Sequence, residues 1–326
     1  MNNLGFIFCE DNLSIQQKRW LNCYNETFKL LNIKPHIISS FKEAKKDYKY
    51  IWRPSHKNFH GRFRNKENLS IELSNLAKKY EEKGAYLFPS SNDLSYYENK
   101  RKILNRAKEA NINIPNSIYL SERGKNNDIK DKMKFPILFK HPYSCASFGL
   151  KICKNESQYD KMIDSYLEEY GSVILQEQVI ITKDLRINYI DTHALCNYWR
   201  VKSNESTSTA TWTGSNLDFF TVPFKGIEFA IKVGKKFGME TGGVDMVWNN
   251  DNLKDEPLLL EISPIFELNP IPCKPVQWQS FKYGFWKHIP YLRTRTTRNW
   301  NILYNQIYMH FTSYQINHLI NKPFPK

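Results

Sequence analysis

The sequence predicts a mixed α/β (α+β) protein in which a small parallel α/β unit precedes a larger one. Three observations carry that prediction. Residues 1 to about 90 alternate strand-length apolar runs with segments of helical period, the order expected of a parallel sheet covered by helices. From residue 134 onward, apolar strands follow one another across polar loops and helical segments become sparse. Finally, Phe237–Ser263 holds two apolar runs, Val244–Trp248 and Leu258–Ile262, joined by the polar turn Asn249–Pro257, which is a β-hairpin by pattern.

Taken in order, Leu4–Cys9 reads as a strand. A helix follows over Ser14–Leu31, with Ile15, Trp20, Leu21, Tyr24, Phe28 and Leu31 on one face. Pro35–Ile38 and Tyr48–Trp52 are the next strands, and the latter runs into a basic loop, Arg53–Arg64, that carries His56 and His60. Asn68–Lys83 is amphipathic and stops at Gly84, a good helix terminator. Ala85–Phe88 is a fourth strand, and no G-x-G-x-x-G follows the first one, so this is not a dinucleotide-binding unit.

A basic helix over Glu98–Ala110 comes next. The strand Lys134–Pro142 buries Ile137 and Phe139 on one face and places Lys140 near its end. The small-residue loop Tyr143–Gly149, with Ser144 and Ser147, leads into the strand Leu150–Cys153, then a helix at Gln158–Tyr170 and a strand at Val173–Ile180. Thr182–Arg186 is polar, Ile187–Ile190 and Ala194–Val201 are strands, Lys202–Asn216 is a loop, and Ile227–Phe237 is a helix entering the hairpin.

Composition narrows the class of protein. The chain has 326 residues, enough for two or three domains, and Lys plus Arg number 47 against 33 Asp plus Glu, a formal charge of +14. Such an excess suits an anionic partner. Its even spread along the sequence argues against a nucleic-acid surface. Six cysteines (Cys9, Cys23, Cys145, Cys153, Cys196, Cys273) show no paired spacing and read as reduced thiols of a cytoplasmic protein. The first residues lack the pattern of a signal peptide, and no run is long enough to span a membrane.

Two features carry chemistry. Asp245 and Glu261 each sit inside an apolar strand of the hairpin, where desolvation is costly unless the carboxylate is paired or binds a metal. A hard cation such as Mg²⁺ would relieve their mutual repulsion; two half-exposed strands facing water would also explain them. The loop after Lys140 offers backbone N–H groups to phosphate oxygens, with the lysine as a point charge.

Read together, these pieces resemble the ATP-grasp superfamily, in particular the branch of ribosomal-protein glutamate ligases and glutathione synthetase-like enzymes, over residues 50 to 270. The resemblance implies an N-terminal α/β domain at 1–92, an ATP-grasp domain at 93–272 with a hinge near 173–180, and a C-terminal helical extension at 273–326. It implies that Lys100 and Lys140 contact phosphates beneath the loop of Ser144, Ser147 and Gly149. Gln176, Glu177 and Val179 would form the adenine-reading hinge, Asp184 would bind the ribose, and Arg200 would lie near the γ-phosphate. Asp245 and Glu261, with Ser263, would hold Mg²⁺ (or Mn²⁺). Relatives commonly read Glu-x-Asn where this chain reads Glu261-Ile-Ser263, and Asn269 is a candidate substitute.

The implied activity is ATP-dependent ligation of a carboxylate to an amine through an acyl phosphate. Its substrates would be small molecules, glycans or peptides, in the assembly of a surface polysaccharide or a peptide-like metabolite. Alternatives are a kinase of the same fold or a nucleotide-binding module without turnover. Past residue 273, Trp278, Phe281, Tyr283, Phe285 and Trp286 precede a basic run, Arg293–Arg298. A helix then carries Trp300, Leu303, Tyr304, Ile307, Tyr308, Phe311 and Tyr314. That helix reads either as docked on its own core or on a homodimer partner, or as a basic aromatic surface for peripheral membrane contact over 278–314.

Overall fold

The computed structural model describes residues 3–7, 15–53, 69–122, 129–144, 147–202, 209, 216–218, 222–266, 268 and 307–324. His56, His60, Asn269, Cys9, Cys145, Cys273, the 278–286 aromatic cluster and the Arg293–Arg298 run lie outside these residues, as does most of the 202–216 loop.

The first unit is a parallel sheet of order β2-β1-β3-β4, formed by β1 (Leu4–Ile7), β2 (His36–Ile38), β3 (Lys49–Trp52) and β4 (Tyr86–Phe88). Helix α1 (Ile15–Leu30) buries Trp20, Cys23, Tyr24 and Phe28 against one face, and α2 (Leu69–Glu81) buries Leu73, Ala77 and Tyr80 against the other. Short α3 (Ser91–Leu94) follows, closed by a reciprocal capping box between Ser90 and Asp93.

Helix α4 (Lys100–Glu109) is capped by Asn99, whose side chain accepts from the Lys102 N–H at 3.0 Å. An antiparallel sheet of order β5-β8-β6-β7 comes next, from β5 (Ser117–Leu120), β6 (Ile137–Lys140), β7 (Lys151–Cys153) and β8 (Val173–Glu177), with the short α5 (Ile129–Lys132) before β6. Its core joins Ile137, Phe139, Val173 and Leu175 to Tyr159, Ile163 and Tyr166 of α6 (Glu156–Tyr170). β5 is not among the strands expected from sequence, because its four residues are too few for a period to declare itself.

The third sheet is antiparallel, of order β11-β10-β9-β12-β13: β9 (Lys183–Ile190), β10 (His193–Val201), β11 (Asn216–Asp218), β12 (Thr241–Val247) and β13 (Leu258–Ser263). Helix α7 (Phe224–Phe237) covers one face, packing Phe229, Ala230 and Val233 on Leu185, Ile187, Tyr189, Val244 and Met246. Strand β9 starts earlier than its polar opening suggested. Leu185 and Ile187 alternate into that core while Asp184 and Arg186 take the opposite face, so the segment is a half-polar strand.

A C-terminal helix over residues 307–321 returns to the first unit. Tyr308, Phe311, Ile316 and Leu319 share a core with Trp20, Tyr24 and Phe28, and the Trp20 and Tyr308 rings meet at 4.4 Å between centroids. Tyr308 and Phe311 therefore do not form a membrane-facing stripe, because both are buried against the chain's own α1. Among the described residues, no helix is long and apolar enough to cross a membrane. Cys23, Cys153 and Cys196 are buried thiols outside any disulfide.

Candidate nucleotide and metal site

The polar face of the third sheet is assembled by register. Across it, Tyr198 of β10 opposes Arg186 of β9, Arg186 opposes Asp245 of β12, and Asp245 opposes Glu261 of β13. One row further along, Arg200 opposes Asp184 on one side; on the other, Asn188 opposes Gly243, which opposes Ser263. A Cβ at Gly243 would lie 2.9 Å from Asn188 Oδ1 and 3.2 Å from Phe266 Cβ, so the row closes only around a residue without a side chain.

Asp245 is the centre of this face. Arg186 Nε donates to its Oδ1 and Arg186 Nη2 to its Oδ2, both at 2.5 Å, and Arg200 Nη2 reaches Oδ2 at 2.8 Å. Arg200 also grips Asp184, with Nε 3.0 Å from Oδ1 and Nη2 donating to Oδ2. Burial alone would raise the Asp245 carboxyl, but the two guanidiniums outweigh it and hold the group at about 2. Asp184 is only 1 % exposed, and burial pushes it upward despite Arg200. Its expected ribose contact does not match this geometry, in which a buried carboxylate orients Arg200. Arg186, which pairs with Asp245, is not among the candidate residues expected from sequence. Its place at the end of the polar segment Thr182–Arg186 gives no local sign that it lies within a strand.

Facing this sheet are the two lysines. The Lys100 N–H donates to the Pro142 carbonyl at 2.9 Å, and its Nζ donates to the Ser144 carbonyl, fastening the start of α4 to the loop after β6. The same Nζ lies 3.7 Å from Glu261 Oε1. Lys140 Nζ donates to Gln176 Oε1, and Gln176 Nε2 donates to Ser117 Oγ at 3.0 Å. Lys100, Lys140, Ser117, Gln176 and Leu259 line one small cavity between the two antiparallel sheets. Burial, then the neighbouring Lys100 charge, brings Lys140 down to about 8.

The loop is shaped from within. Ser144 is 4 % exposed, and its Oγ sits 3.1 Å from the carbonyls of both His141 and Phe148, so the hydroxyl holds the turn and does not point outward to a phosphate. Ser147 is exposed, with a positive φ of 61°. Gly149 has φ 71°, and its carbonyl accepts from Tyr166 Oη at 2.6 Å. In the hinge, the Glu177 N–H donates to the Asn116 carbonyl at 2.9 Å, and the Gln178 N–H donates to the Pro136 carbonyl at 3.0 Å. Glu177 Oε1 accepts from Asn116 Nδ2 and from the Lys134 N–H, each at 2.8 Å. Val179 follows beyond the strand ladder.

For a cation, the donor set fits in part. Glu261 is the open carboxylate, its side chain 28 % exposed, and it stands beside Asp245 in the ladder. Ser263 does not fit: it is 8 % exposed and its Oγ donates to the Ile265 carbonyl at 2.7 Å. Among the described residues, no three His, Cys, Asp or Glu side chains form a ready cage.

Two antiparallel sheets that meet over paired lysines, arginines and carboxylates, behind a parallel α/β unit, define the ATP-grasp fold. The family model described as the RimK-like ATP-grasp domain matches residues 98–269, more than half of the chain, and the chain belongs to that family. Among solved structures it is similar to D-alanine–D-alanine ligase from Bacillus anthracis, at 13% identity and TM-score 0.59, over 98% of this chain and 99% of that one. A RimK-domain ATP-grasp protein from Sphaerobacter thermophilus matches at 11% identity and TM-score 0.57, over 95% of this chain and 99% of that one. The ATP-grasp ligase PsnB, complexed with its precursor peptide PsnA2 and AMPPNP, matches at 13% identity and TM-score 0.56, over 83% and 92%. No curated protein sequence matches this chain.

Proposed function

We propose that the protein is an ATP-dependent carboxylate–amine ligase that works through an acyl phosphate. The observation that carries this reading is the meeting of Lys100 with Glu261 at 3.7 Å, from separate parts of a RimK-like ATP-grasp chain. That contact brings a phosphate-type cation to an open carboxylate at the mouth of the Asp245–Arg186–Arg200 network. Phosphoryl transfer needs positioning and charge neutralisation more than a protein nucleophile. Lys100, Lys140 and Arg200 supply positive charge toward the phosphates, and Asp184 positions Arg200. Glu261, with the remaining lone pairs of Asp245, would hold Mg²⁺, which when bound neutralises phosphate charge. Exclusion of water from the closed site would protect the acyl phosphate from hydrolysis.

The ATP-grasp ligase PsnB has also been solved in complex with a minimal precursor, Mg and ADP. By analogy we assign a peptide or small-molecule carboxylate as the acid. A biosynthetic role in the cytoplasm is the setting we infer for it.

Calorimetric titration with ADP, with and without Mg²⁺, tests the site. We expect Mg²⁺ to tighten ADP binding and Glu261→Gln to remove that gain while leaving the melting temperature within a few degrees. Hydroxylamine trapping of the acyl phosphate from candidate acids then tests the reaction. Near-normal turnover in Glu261→Gln would refute the metal assignment, and a phosphorylated alcohol as product would refute the ligase.

A further inference from the structure

A wide cleft between α4 and the end of α7 plays no part in the roles assigned above. It measures about 860 Å³, and five cations line it, Arg101, Lys102, Arg106, Lys235 and Lys236, against a single acid, Glu109. Local helix physics explains only part of this charge. Lys235 and Lys236 occupy the last turn of α7, where cations complement the helix dipole. Arg101 and Lys102 do the opposite: they stand in the first turn of α4, the positive end, and that turn holds no acid. Cations gathered where their own helix disfavours them call for a reason outside the helix.

Packing holds three of these cations in place. Lys102 Nζ lies 4.4 Å from the centroid of the Tyr96 ring and donates to Ser95 Oγ. The Arg101 guanidinium lies 4.3 Å from the centroid of the Tyr119 ring. Arg106 Nη2 donates to the Lys236 carbonyl, which ties the two walls together, and its Nη1 is 3.4 Å from Glu109 Oε2. Among the described residues, Lys102, Lys235 and Lys236 pair with no carboxylate. Burial, then the neighbouring Lys78 charge, pulls Lys102 down, as expected of a cation with no acid beside it.

Size and chemistry select the occupant. A cleft this large takes a ligand of many atoms, not one small anion. The start of α4 is capped, with the Lys102 N–H on Asn99 Oδ1 and the Ile103 N–H on the Asn99 carbonyl, each at 3.0 Å, so it does not offer a phosphate its N–H groups. Charge comes instead from side chains on separate stems, which matches carboxylates spaced along a chain. The Tyr96 and Phe237 rings that line the cleft are each 3 % exposed and pack on each other at 5.3 Å between centroids, so they present no face to a nucleic-acid base. Asn105, exposed on the α4 wall, has a donor and an acceptor for a peptide backbone.

We propose that this cleft docks an acidic stretch of a peptide substrate, away from the carboxylate that reacts. This rests on the reading of the acid as a peptide. The near end of the cleft adjoins the phosphate site, because Asn99 and Tyr143 line it and their neighbours Lys100 and Pro142 are joined by a backbone hydrogen bond. Binding energy gained along the cleft would position the reacting end, as remote contacts do in enzymes.

The test is binding of fluorescein-labelled hexa-aspartate to the full chain without nucleotide, read by fluorescence anisotropy against the same peptide with asparagine at every position. Only the aspartate peptide should bind, and less tightly as salt shortens the screening length below about 10 Å. The Lys235→Glu, Lys236→Glu double variant should weaken binding roughly tenfold, because each reversal turns an attraction of exposed-pair size into a repulsion. Lys235→Gln with Lys236→Gln should fall between that variant and wild type, and it decides the matter if charge reversal lowers the melting temperature. Both variants should keep ADP affinity within about twofold, since neither side chain lines the nucleotide cavity. No binding by wild type, or equal binding by wild type and both variants, overturns the proposal. So does stronger displacement by tripolyphosphate or by a single-stranded oligonucleotide of equal charge, which would make the cleft a phosphate or nucleic-acid site. A wild-type chain that binds ADP but not the peptide overturns the docking cleft alone. One that binds the peptide but not ADP upholds the cleft and overturns the nucleotide reading.

Discussion

Asp245 is held by Arg186 and Arg200 on the polar face of the third sheet, and this arrangement has a testable energy. Removing one partner of a buried ion pair leaves charge uncompensated, at a cost of about 3–5 kcal/mol. Because Arg200 remains beside Asp245, Arg186→Met should cost toward the lower end of that range in chemical denaturation. The Arg186→Met, Asp245→Asn double variant should cost less than the sum of the single changes, as expected for side chains in one network. Additive losses would mean that the two residues are energetically independent. Asp245 and Glu261 stood out in the sequence because each interrupts an apolar strand in a way that asks for a partner, whereas Lys100 and Lys140 were singled out by the family resemblance. Arg186 did not stand out: a charged residue closing a polar run is indistinguishable from a solvated position until its neighbours in space are known.

At the scale of elements, strand register does the assembling. The half-polar β9 places Asp184, Arg186 and Asn188 on one face and Leu185, Ile187 and Tyr189 on the other, so one strand serves both the site and the core. Gly243→Ala would thrust a methyl group against Asn188 and Phe266, and overpacking of this kind costs about 1–3 kcal/mol. A denaturation midpoint equal to wild type would show that the row can yield. The C-terminal helix offers a second check. Tyr308 is fully buried against Trp20, and truncating a large aromatic in such a place costs about 3 kcal/mol or more. We expect Tyr308→Ala to lower thermal stability strongly. If that helix were peripheral to the core, the variant would melt with wild type. Its three-to-four aromatic spacing was plain from sequence, but spacing alone does not say whether the apolar stripe meets protein or lipid.

Across the whole molecule, the first unit is tied to the third sheet through buried charge. Asp93 Oδ2 accepts from the Ser90 N–H and its Oδ1 from the Glu240 N–H, each at 3.0 Å, while Glu240 in turn takes His318, Lys322 and Tyr86. Burial pushes Asp93 from an ordinary 3.8 up to about 7. A carboxyl raised on folding contributes stability that is complete below its unfolded value and is lost as pH rises through the folded one. The Asp93 contribution therefore falls away between about pH 4 and pH 7. Melting temperatures of wild type should drop from pH 5 to pH 8 by more than those of Asp93→Asn. Equal drops in the two proteins would sink this assignment.

Much of the design follows from local order along the chain. Alternation of apolar runs and helical periods determined the parallel unit, the hairpin and most helix limits, since each of these depends on residues close in sequence. Asp245 and Glu261 stood out in the same way, as charges inside apolar strands, while Lys100 and Lys140 were implied by the family resemblance. Tertiary structure alone decided which charges meet. It turned Asp184 toward Arg200 and withdrew Ser144 and Ser263 into local hydrogen bonds. Pairing across a sheet and burial beneath a distant helix are long-range outcomes, and the energy of a buried charge depends on neighbours that no local stretch of sequence contains.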